Sequence, residues 1–366
     1  MTNRERVNAI FHYEKYDRIP IVHFGYWWEL CVKWMEEGHI TQEILNNNCE
    51  GRVSEMLGFE MGWGGAIGSH YGLIPGFEHK ILERREDGFV IEQTGSGLII
   101  QTRPGAGSIP SSVGTLLNTR EDWETLYLPK LQWSENRVNT DYAKIFADDS
   151  NRTDPHGIFC GSLYGSVRDM LGVEGLCYLY ADDEDLFAEV VNTIGDLCYR
   201  GVELILKQGG KFDFGHFWED ICFKNGPLVN PEVFRKYCGP NYKKITDLLL
   251  KHGVDIVSLD CDGKIDELIP IWLENGVNTM FPIEVGTWDA SIEPWRKKYG
   301  KAILGIGGMD KRVLSLDYAA IDAEVERLRR LVDLGGFIPC PDHRLPPETK
   351  WENVQYYTDR MRKVFC

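Results

Sequence analysis

Short apolar runs that end in charged or thiol side chains recur along the second half of the chain. The clearest run covers residues 254–263, where apolar and β-branched residues lead into Asp260, Cys261 and Asp262. A buried strand has this composition, and ionisable groups at its end are costly unless they are paired, bound to metal or facing a wet cleft. The pattern therefore predicts strands with polar chemistry at their carboxyl ends, in this run and in residues 211–220, 277–284, 302–310 and 336–343.

Helix-length segments with apolar residues at helical spacing separate these runs, as at residues 182–207, 231–251 and 320–334. Residues 156–162 resume the same alternation after a polar, turn-rich stretch. Such an alternation predicts an α/β fold, a (β/α)8 TIM-type barrel whose strands are parallel neighbours. The carboxyl ends of the strands meet at one face of a barrel, so we expect the polar strand ends to form a single site.

The amino-terminal part of the chain predicts the first barrel elements and an insertion. Residues 2–13 have the pattern of a capped helix, and residues 21–24 have that of the first strand. Residues 77–104 contain strand-like runs separated by Asp-Gly and Gly-Ser-Gly, which are hairpin signals. We therefore expect a single barrel domain over residues 1–366, with an antiparallel hairpin insertion at about 77–104.

Charge and composition exclude some classes of partner. The formal net charge is −16 over 366 residues, with no compensating Lys/Arg cluster, whereas nucleic-acid binding needs a basic surface. No apolar run is long enough to span a membrane, and the first residues lack the apolar core of a secretion signal. We expect a cytoplasmic protein, in which the ten scattered cysteines are free thiols or metal ligands.

Three consecutive aromatic residues, Tyr26, Trp27 and Trp28, follow the first predicted strand. They cannot share one face of any regular element, so some of them must face outward or into a cleft. They either brace neighbouring helices or form an aromatic wall that faces a substrate, and the sequence leaves both interpretations open. The candidate substrate-binding residues are His23, Tyr26, Trp27, His216, Trp218 and Glu284.

Thiol, imidazole and carboxylate side chains occur together at two predicted strand ends, in Asp260, Cys261, Asp262, Cys340 and His343. Zinc binds these side-chain types, and a catalytic zinc uses three of them with one position open. The chain has neither CxxC nor HExxH, so ligand spacing alone does not establish a metal site. The alternative is that both cysteines are small core residues and that the acids cap helices.

Further carboxylates end two other predicted strands. Glu219 and Asp220 are candidates for general acid–base catalysis or for holding a polar group of a ligand. Equally, they could cap the loop that follows them. Glu284 could pair with a lysine or orient a metal-bound histidine.

An ordered series of segments resembles the uroporphyrinogen decarboxylase superfamily over most of the chain. None of these segments is diagnostic alone, and their order carries the resemblance. The resemblance implies a barrel with its site at the carboxyl ends of the strands. The segments are Asp17-Arg18-Ile19-Pro20, Trp218-Glu219-Asp220, residues 226–228 and 231–235, Asp260-Cys261-Asp262-Gly263, residues 282–285 and 307–310, residues 335–339, Asp342-His343 and Asn353.

Two departures from the family pattern indicate a subgroup. True decarboxylases carry an arginine-rich loop after the first strand to hold the porphyrin's carboxylates, whereas residues 24–28 are four aromatic residues and a glycine here, with no charge. The superfamily's zinc methyltransferases use His-x-Cys after one strand and a later Cys. Asp260 and Asp262 fall at the first pair and His343 falls at the later Cys. This pattern resembles the methyl-ether-cleaving branch, because a harder oxygen and nitrogen site suits polarisation of an ether oxygen.

The resemblance thus implies a corrinoid-dependent methyltransferase that demethylates a methoxy compound, which the aromatic segment suggests is itself aromatic. Zinc or an acid would polarise the ether oxygen, and cob(I)alamin would accept the methyl group. The chain has no Asp-x-His-x-x-Gly signature, so the cobalamin would be carried by a partner corrinoid protein. The catalytic candidates are Glu219, Asp262 and His343, and the metal-ligand candidates are Asp260, Cys261, Cys340 and His343.

Two other functions remain open on the sequence. One is decarboxylation of a small carboxylic acid, which would release carbon dioxide without a corrinoid. The other is a barrel that binds a small ligand without turnover. The sequence also leaves open whether the chain forms a homo-oligomer.

Overall fold

The computed structural model describes residues 1–103 and 110–365. At its centre is a ring of short parallel strands, as the alternation of apolar runs and helical segments predicts. The strands are β1 (Val22–His23), β2 (Met61–Gly62), β3 (Gly65–Gly68), β4 (Lys80–Arg84), β5 (Val90–Gln93), β6 (Leu98–Thr102), β7 (Ser111–Thr115), β8 (Gly157–Gly161), β9 (Phe214–Trp218), β10 (Cys222–Phe223), β11 (Gly226–Pro227), β12 (Val257–Asp260), β13 (Thr279–Ile283), β14 (Leu304–Met309) and β15 (Phe337–Pro341).

The ring has eight strand positions. Strands β3, β8, β9, β12, β13, β14 and β15 form one parallel sheet in that order, and β1 pairs in parallel with β2. β2 and β3 occupy one position, because β2 pairs with β1 and β3 pairs with β8. β1 lies against β15, and a parallel bridge between Tyr26 and Leu345 extends that seam. The predicted (β/α)8 barrel is therefore confirmed.

Helices cover the outside of the barrel. The first one is fixed by its cap, because the Thr2 hydroxyl accepts from the Glu5 N–H while the Glu5 carboxylate accepts from the Thr2 N–H. The α-helices are α1 (Asn3–Phe11), α2 (Trp28–Glu36), α3 (Gln42–Asn46), α4 (Cys49–Met56), α5 (Arg120–Asp122), α6 (Thr140–Ile145), α7 (Gly165–Asp182), α8 (Glu184–Lys207), α9 (Pro231–Tyr237), α10 (Gly239–Lys251), α11 (Ile269–Glu274), α12 (Val285–Trp288), α13 (Ile292–Tyr299), α14 (Tyr318–Val332) and α15 (Trp351–Phe365).

Short helical turns of other types lie in the connections. None of the helices in the described part of the chain has both the length and the apolar character that crossing a bilayer would require. The turns are a π-helical segment at Trp123–Tyr127 and 3-10 segments at Leu128–Leu131, Glu135–Arg137, Gly300–Ala302 and Lys311–Ser315.

The insertion is larger than the sequence predicts. β4, β5 and β6 lie where the hairpin signals place them, but β7 adds a fourth antiparallel strand at Ser111–Thr115. β7 is an exposed, polar edge strand, so it lacks the apolar alternation that would have indicated it. The predicted end of the insertion, position 104, lies outside the described residues.

Side-chain alternation along β9 and β12 decides which residues enter the barrel. On β9, His216 faces inward and hydrogen-bonds the Ser258 hydroxyl of β12, whereas the next residue, Phe217, packs outward on Tyr242 of α10. Asp260 pairs with Trp218 in the strand register. Residues of even number on both strands therefore point into the barrel and towards its mouth.

The amino-terminal end of the barrel interior is filled by an aromatic plug centred on Trp63. Its ring stacks on Phe214 at 3.8 Å and meets Phe11 edge-on at 5.8 Å. Its indole N–H donates to the Ser258 hydroxyl at 3.0 Å. The plug therefore ties the loop between β2 and β3 to the opposite side of the barrel.

We expect Trp63→Ala to lower the free energy of unfolding by about 3 kcal/mol, because the cavity it leaves cannot refill. Urea unfolding followed by circular dichroism measures this change. Trp28→Ala is the matched control, because Trp28 is 58% exposed, and it should cost less than about 1 kcal/mol. Similar losses in the two variants would contradict a structural role for the plug.

Candidate active site at the barrel mouth

Three carboxylates converge at the carboxyl ends of neighbouring strands. Asp260 ends β12, Asp262 lies two residues beyond it, and Asp220 lies two residues beyond β9. One oxygen from each lies within 4.8 Å of the others, and residues 1–103 and 110–365 contain no second group of three metal-binding side chains this close. We call these three residues the acidic group.

The backbone around Asp220 holds its carboxylate in the acidic group. Asp220 has φ +50°, in the left-handed region that Asp adopts more readily than most residues. Its carboxylate accepts the Asp262 N–H at 3.2 Å, and its carbonyl oxygen accepts from the Arg168 guanidinium. Arg168 also lies over the ring of Trp218 at 5.5 Å, which fixes the loop after β9 from its outer side.

Burial and mutual repulsion perturb the acidic group. Burial, and then the neighbouring Asp262, raise the pKa of Asp220 to about 6. Burial, Asp220 and Asp262 raise the pKa of Asp260 well above its usual value. Carboxyl groups perturbed in this way are typical of functional sites, since ordinary folding avoids placing like charges together.

His343 joins the acidic group through Asp262. Its Nε2 atom lies 3.1 Å from Asp262 Oδ2, and the His343 side chain is 19% exposed. The second oxygen of Asp262, Oδ1, is buried and has no hydrogen-bond partner among the described residues. A buried carboxylate oxygen without a donor is costly, and a bound cation would satisfy it. The donor set therefore fits a divalent cation.

An aromatic wall stands beside His343. Phe24 stacks on Phe281 of β13 at 4.9 Å and lies 5.0 Å from the His343 ring, which Trp27 approaches at 5.9 Å. Trp27 therefore lies at the mouth, which is the position expected if the aromatic segment forms a wall that faces a substrate. The sequence did not single out Phe281, although it lies at the carboxyl end of a predicted strand, whereas Phe24 belongs to the uncharged segment at residues 24–28 that departs from the family pattern.

Other residues of the aromatic segment lie elsewhere. Tyr26 is buried, with its hydroxyl hydrogen-bonded to Ser54 and its ring edge-on to Trp34, so it braces helices instead of facing the mouth. His23 stacks on Tyr26, and burial lowers its pKa. The structure thus places Tyr26 in the packed interior and His23 half-buried against it, because only some of a run of adjacent side chains can share one face.

His216 and Trp218 occupy successive inward positions on β9. Trp218 is half-buried at the level of Asp260, its partner in the register. His216 lies one step deeper, where burial lowers its pKa to about 4 and its Nδ1 atom hydrogen-bonds Ser258. The structure therefore places Trp218 at the mouth and a neutral His216 in the floor beneath it.

Glu219 faces away from the mouth and is completely buried. Its Oε1 accepts from the Leu163 N–H and the Tyr242 hydroxyl, and its Oε2 accepts from the Ser162 hydroxyl and from two further N–H groups at the start of α7. Both oxygens are saturated with donors, so none is left for a substrate. Glu219, a predicted catalytic residue, is therefore a structural anchor, because it alternates in direction with Trp218 and Asp220.

The structure does not bring the two predicted thiol ligands to the acidic group. Cys261 lies between Asp260 and Asp262 and points the opposite way, so that its sulfur accepts the Ile221 N–H at 3.4 Å. Cys340 is fully buried, and its thiol donates to the Pro341 carbonyl at 3.3 Å. Both are core residues, as the alternative interpretation of the sequence holds.

Glu284, at the end of β13, contacts the acidic group indirectly. Its carboxylate accepts from the Gly263 N–H at 2.5 Å and from the Thr287 hydroxyl at 2.8 Å. Burial, and then Asp262, raise its pKa. Glu284 therefore positions the loop that carries Asp262, and it adds to the negative charge of the mouth.

Comparisons with known proteins agree with this architecture. A family model described as uroporphyrinogen decarboxylase (URO-D) matches residues 89–364. A solved structure of a methyltransferase from Methanosarcina mazei has a TM-score of 0.62 at 14% identity, covering 100% of this chain and 99% of that chain. A B12-independent methionine synthase from Shewanella sp. W3-18-1 has a TM-score of 0.45 at 12% identity, covering 89% and 91%. No curated protein matches the sequence significantly.

We expect Glu219→Gln to lower the free energy of unfolding by on the order of 3 kcal/mol, because an amide NH2 would face hydrogen-bond donors in a sealed site. Thermal and urea unfolding measure the loss. Glu348→Gln, the same change at an exposed carboxylate, should be nearly neutral. Full stability of Glu219→Gln together with lost activity would instead restore Glu219 as a catalytic residue.

The acidic group should lower stability at neutral pH in chelator-treated protein. The pKa of folded Asp220, about 6, exceeds its ordinary 3.8, so ionised Asp220 opposes folding above pH 6, and this effect disappears below about pH 4. Asp220→Asn should therefore raise the free energy of unfolding at pH 8 by up to roughly 3 kcal/mol, and the gain should shrink as the pH falls.

Asp289→Asn is the control for this measurement. Asp289 is exposed, has φ +59° and is not a member of the acidic group, so the same substitution is made in the same region of backbone conformation. The free energy of unfolding of this variant should match that of the unmodified protein at every pH. A pH-independent effect of Asp220→Asn would show that repulsion between the carboxylates is not its cause.

Proposed function

This chain belongs to the uroporphyrinogen decarboxylase family, and we propose that the residues at the mouth of its barrel catalyse a methyl transfer. The substrate is a small methoxylated compound with an aromatic ring. Its methyl group passes to cob(I)alamin on a partner corrinoid protein. The chain would thus be the methyltransferase, or O-demethylase, component of a two-protein reaction.

The observation that carries this proposal is the acidic group directly beside the aromatic wall. Three carboxylates form an oxygen donor set with the His343 imidazole beside it, and such a set suits activation of an ether oxygen better than activation of a thiol. The rings of Phe24, Phe281 and Trp27 offer apolar faces to an aromatic substrate. The fold is shared with a methyltransferase from Methanosarcina mazei and is compatible with this reaction.

The charge of the mouth disfavours a polycarboxylate substrate. The acidic group and Glu284 would repel it, and the nearest cations are already engaged. Arg344 bonds Glu50 at 3.0 Å and the Tyr26 carbonyl at 3.1 Å, while Arg168 bonds Asp169 at 2.8 Å. Decarboxylation of uroporphyrinogen therefore lacks the cationic clamp that its carboxylates need.

Asp220, Asp260 and Asp262 would hold a divalent cation, and zinc is our candidate because it accepts carboxylate ligands. When bound, the cation withdraws electron density from the ether oxygen. His343 is not within 4.8 Å of all three carboxylates, so the geometry favours it as a neighbour of the cation and not as a member of the acidic group.

The chain's own side chains would position the substrate and manage one proton. The aromatic wall holds the ring, and the methyl group points out of the mouth towards the corrinoid. A docked corrinoid would supply the nucleophile that accepts the methyl group, and the electron pair of the broken carbon–oxygen bond would remain on the substrate oxygen. Asp262 orients His343 through Nε2, and His343 would act as the general acid that supplies a proton to the leaving oxygen.

The metal assignment predicts zinc in protein purified without chelator. Elemental analysis should give about one zinc per chain, and Asp260→Asn should lose most of it, because losing a ligand typically weakens binding at least tenfold. Asp289→Asn, which changes an exposed carboxylate outside the acidic group, should retain the metal. Another metal in place of zinc would contradict the zinc assignment, and full zinc in Asp260→Asn would contradict the acidic group as the site.

A methyl-transfer assay tests the reaction itself. Reconstituted corrinoid protein and a panel of methoxyarenes should give turnover that saturates with corrinoid protein, seen as loss of the cob(I)alamin absorption. Trp27→Ala should reduce kcat/KM for the methoxyarene roughly tenfold, because a stacking contact is lost, whereas Trp28→Ala should change it little.

Other outcomes of that assay assign the rival functions. Carbon dioxide released from a small carboxylic acid without corrinoid would identify a decarboxylase. Ligand binding without turnover under every condition would identify a binding protein. Equal demethylation with and without the corrinoid protein would end the methyl-transfer proposal.

A further inference from the structure

A second cavity lies behind the mouth and contains two thiols. Its volume is about 400 Å³, and it opens between the start of α2 and the start of α4. Cys31 of α2 and Cys49 of α4 both line it, together with the exposed indoles of Trp27 and Trp28. Its two thiols have no role in the reaction proposed above. We call it the thiol pocket.

The two cysteines of the thiol pocket are neighbours with different accessibility. Cys49 is half-buried, whereas Cys31 is buried. Burial, and then the neighbouring Cys49 thiol, raise the pKa of Cys31 to about 12. Reagents in the pocket therefore reach Cys49 first, and Cys31 stands behind it as a second thiol.

The other described cysteines differ from this pair. Cys177 is exposed, whereas Cys160, Cys198, Cys238 and Cys340 are buried. Cys222 and Cys261 neighbour each other, but both are buried beneath the acidic group. Among the described cysteines, the thiol pocket thus combines a neighbouring pair with access from solvent.

The thiol pocket is connected to the mouth through one ion pair. Glu50, next to Cys49, bonds Arg344 at 3.0 Å, and Arg344 follows His343 in the chain. Arg344 also donates to the Tyr26 carbonyl, next to Trp27 of the aromatic wall. Glu50 and Arg344 therefore connect Cys49 to His343 and to Trp27 through two short hydrogen bonds and adjacent positions in the chain.

We propose that Cys31 and Cys49 form an oxidation site, which low-molecular-weight disulfides convert to an intramolecular disulfide. The Cys49 thiolate attacks one sulfur of the small disulfide and releases one thiolate. The Cys31 thiol then gives up its proton and attacks the Cys49 sulfur, displacing the second thiolate. Two protein thiols are oxidised, one small disulfide is reduced to two thiols, and no other reactant is needed.

Treatment of the purified full-length chain with glutathione disulfide tests the proposal. Blocking of free thiols followed by peptide mapping should show Cys31 linked to Cys49, with a loss of two hydrogens, and a reductant should restore both thiols. Cys49→Ser should abolish the linkage. Cys177→Ser is the matched control, because Cys177 is exposed and unpaired with these two, and it should leave the linkage unchanged.

Two results would overturn the proposal. One is a stable mixed disulfide on Cys49 with Cys31 still free, because the thiols would then be too far apart to react. The other is modification of Cys177 while Cys49 remains unmodified, because the pocket would then be closed to reagents.

A second experiment uses the unmodified protein, so its result does not depend on whether a variant folds. Phenylarsine oxide bridges two neighbouring thiols with loss of water, so the unmodified protein should bind it between Cys31 and Cys49 and lose both from thiol titration. Binding should be blocked by prior oxidation with glutathione disulfide. Arsenic found on other cysteines, with Cys31 and Cys49 still free, would contradict the pairing.

Discussion

The buried carboxylate of Glu219 holds together three elements on which the barrel mouth depends. It receives the N–H groups at the start of α7, the Ser162 hydroxyl beyond β8, and the Tyr242 hydroxyl of α10. A charge buried this deeply is tolerable only because every lone pair meets a donor. With Glu219 fixed outward, its chain neighbours Trp218 and Asp220 must turn towards the mouth. Glu219 thus helps to set the direction of Trp218 and Asp220, although its own side chain does not face the mouth.

The acidic group then follows from strand register. Parallel strands in register bring the ends of β9 and β12 to one level, and inward residues at that level are Trp218 and Asp260. Asp220 and Asp262 extend the same pattern into the loops, where an N–H···O bond joins them. The repulsion that results is a cost to folding at neutral pH. Such a cost is expected at a site that binds a cation, since the cation offsets it.

The aromatic wall and the thiol pocket meet at the segment after β1. Trp27 contacts His343 on one side and lines the thiol pocket on the other. Arg344 crosses the same boundary, bonding Glu50 behind the mouth and following His343 within it. The proposed substrate contacts and the two thiols therefore share a small set of residues. Trp27 and Arg344 therefore connect the thiol pocket directly to the barrel mouth.

The sequence alone determined the barrel, because the alternation of apolar runs and amphipathic segments permits few other folds, and it located the strand ends that carry polar residues. The sequence alone could not decide which side chains face the mouth and which face the core. Glu219, Cys261 and Cys340 have the residue types of a site but face the core, and a displacement of one position along a strand makes that difference. Phe24 and Phe281 look like ordinary core residues until the closed ring places them beside His343. Only the tertiary structure decides which side chains share the mouth, because that depends on register between strands distant in sequence.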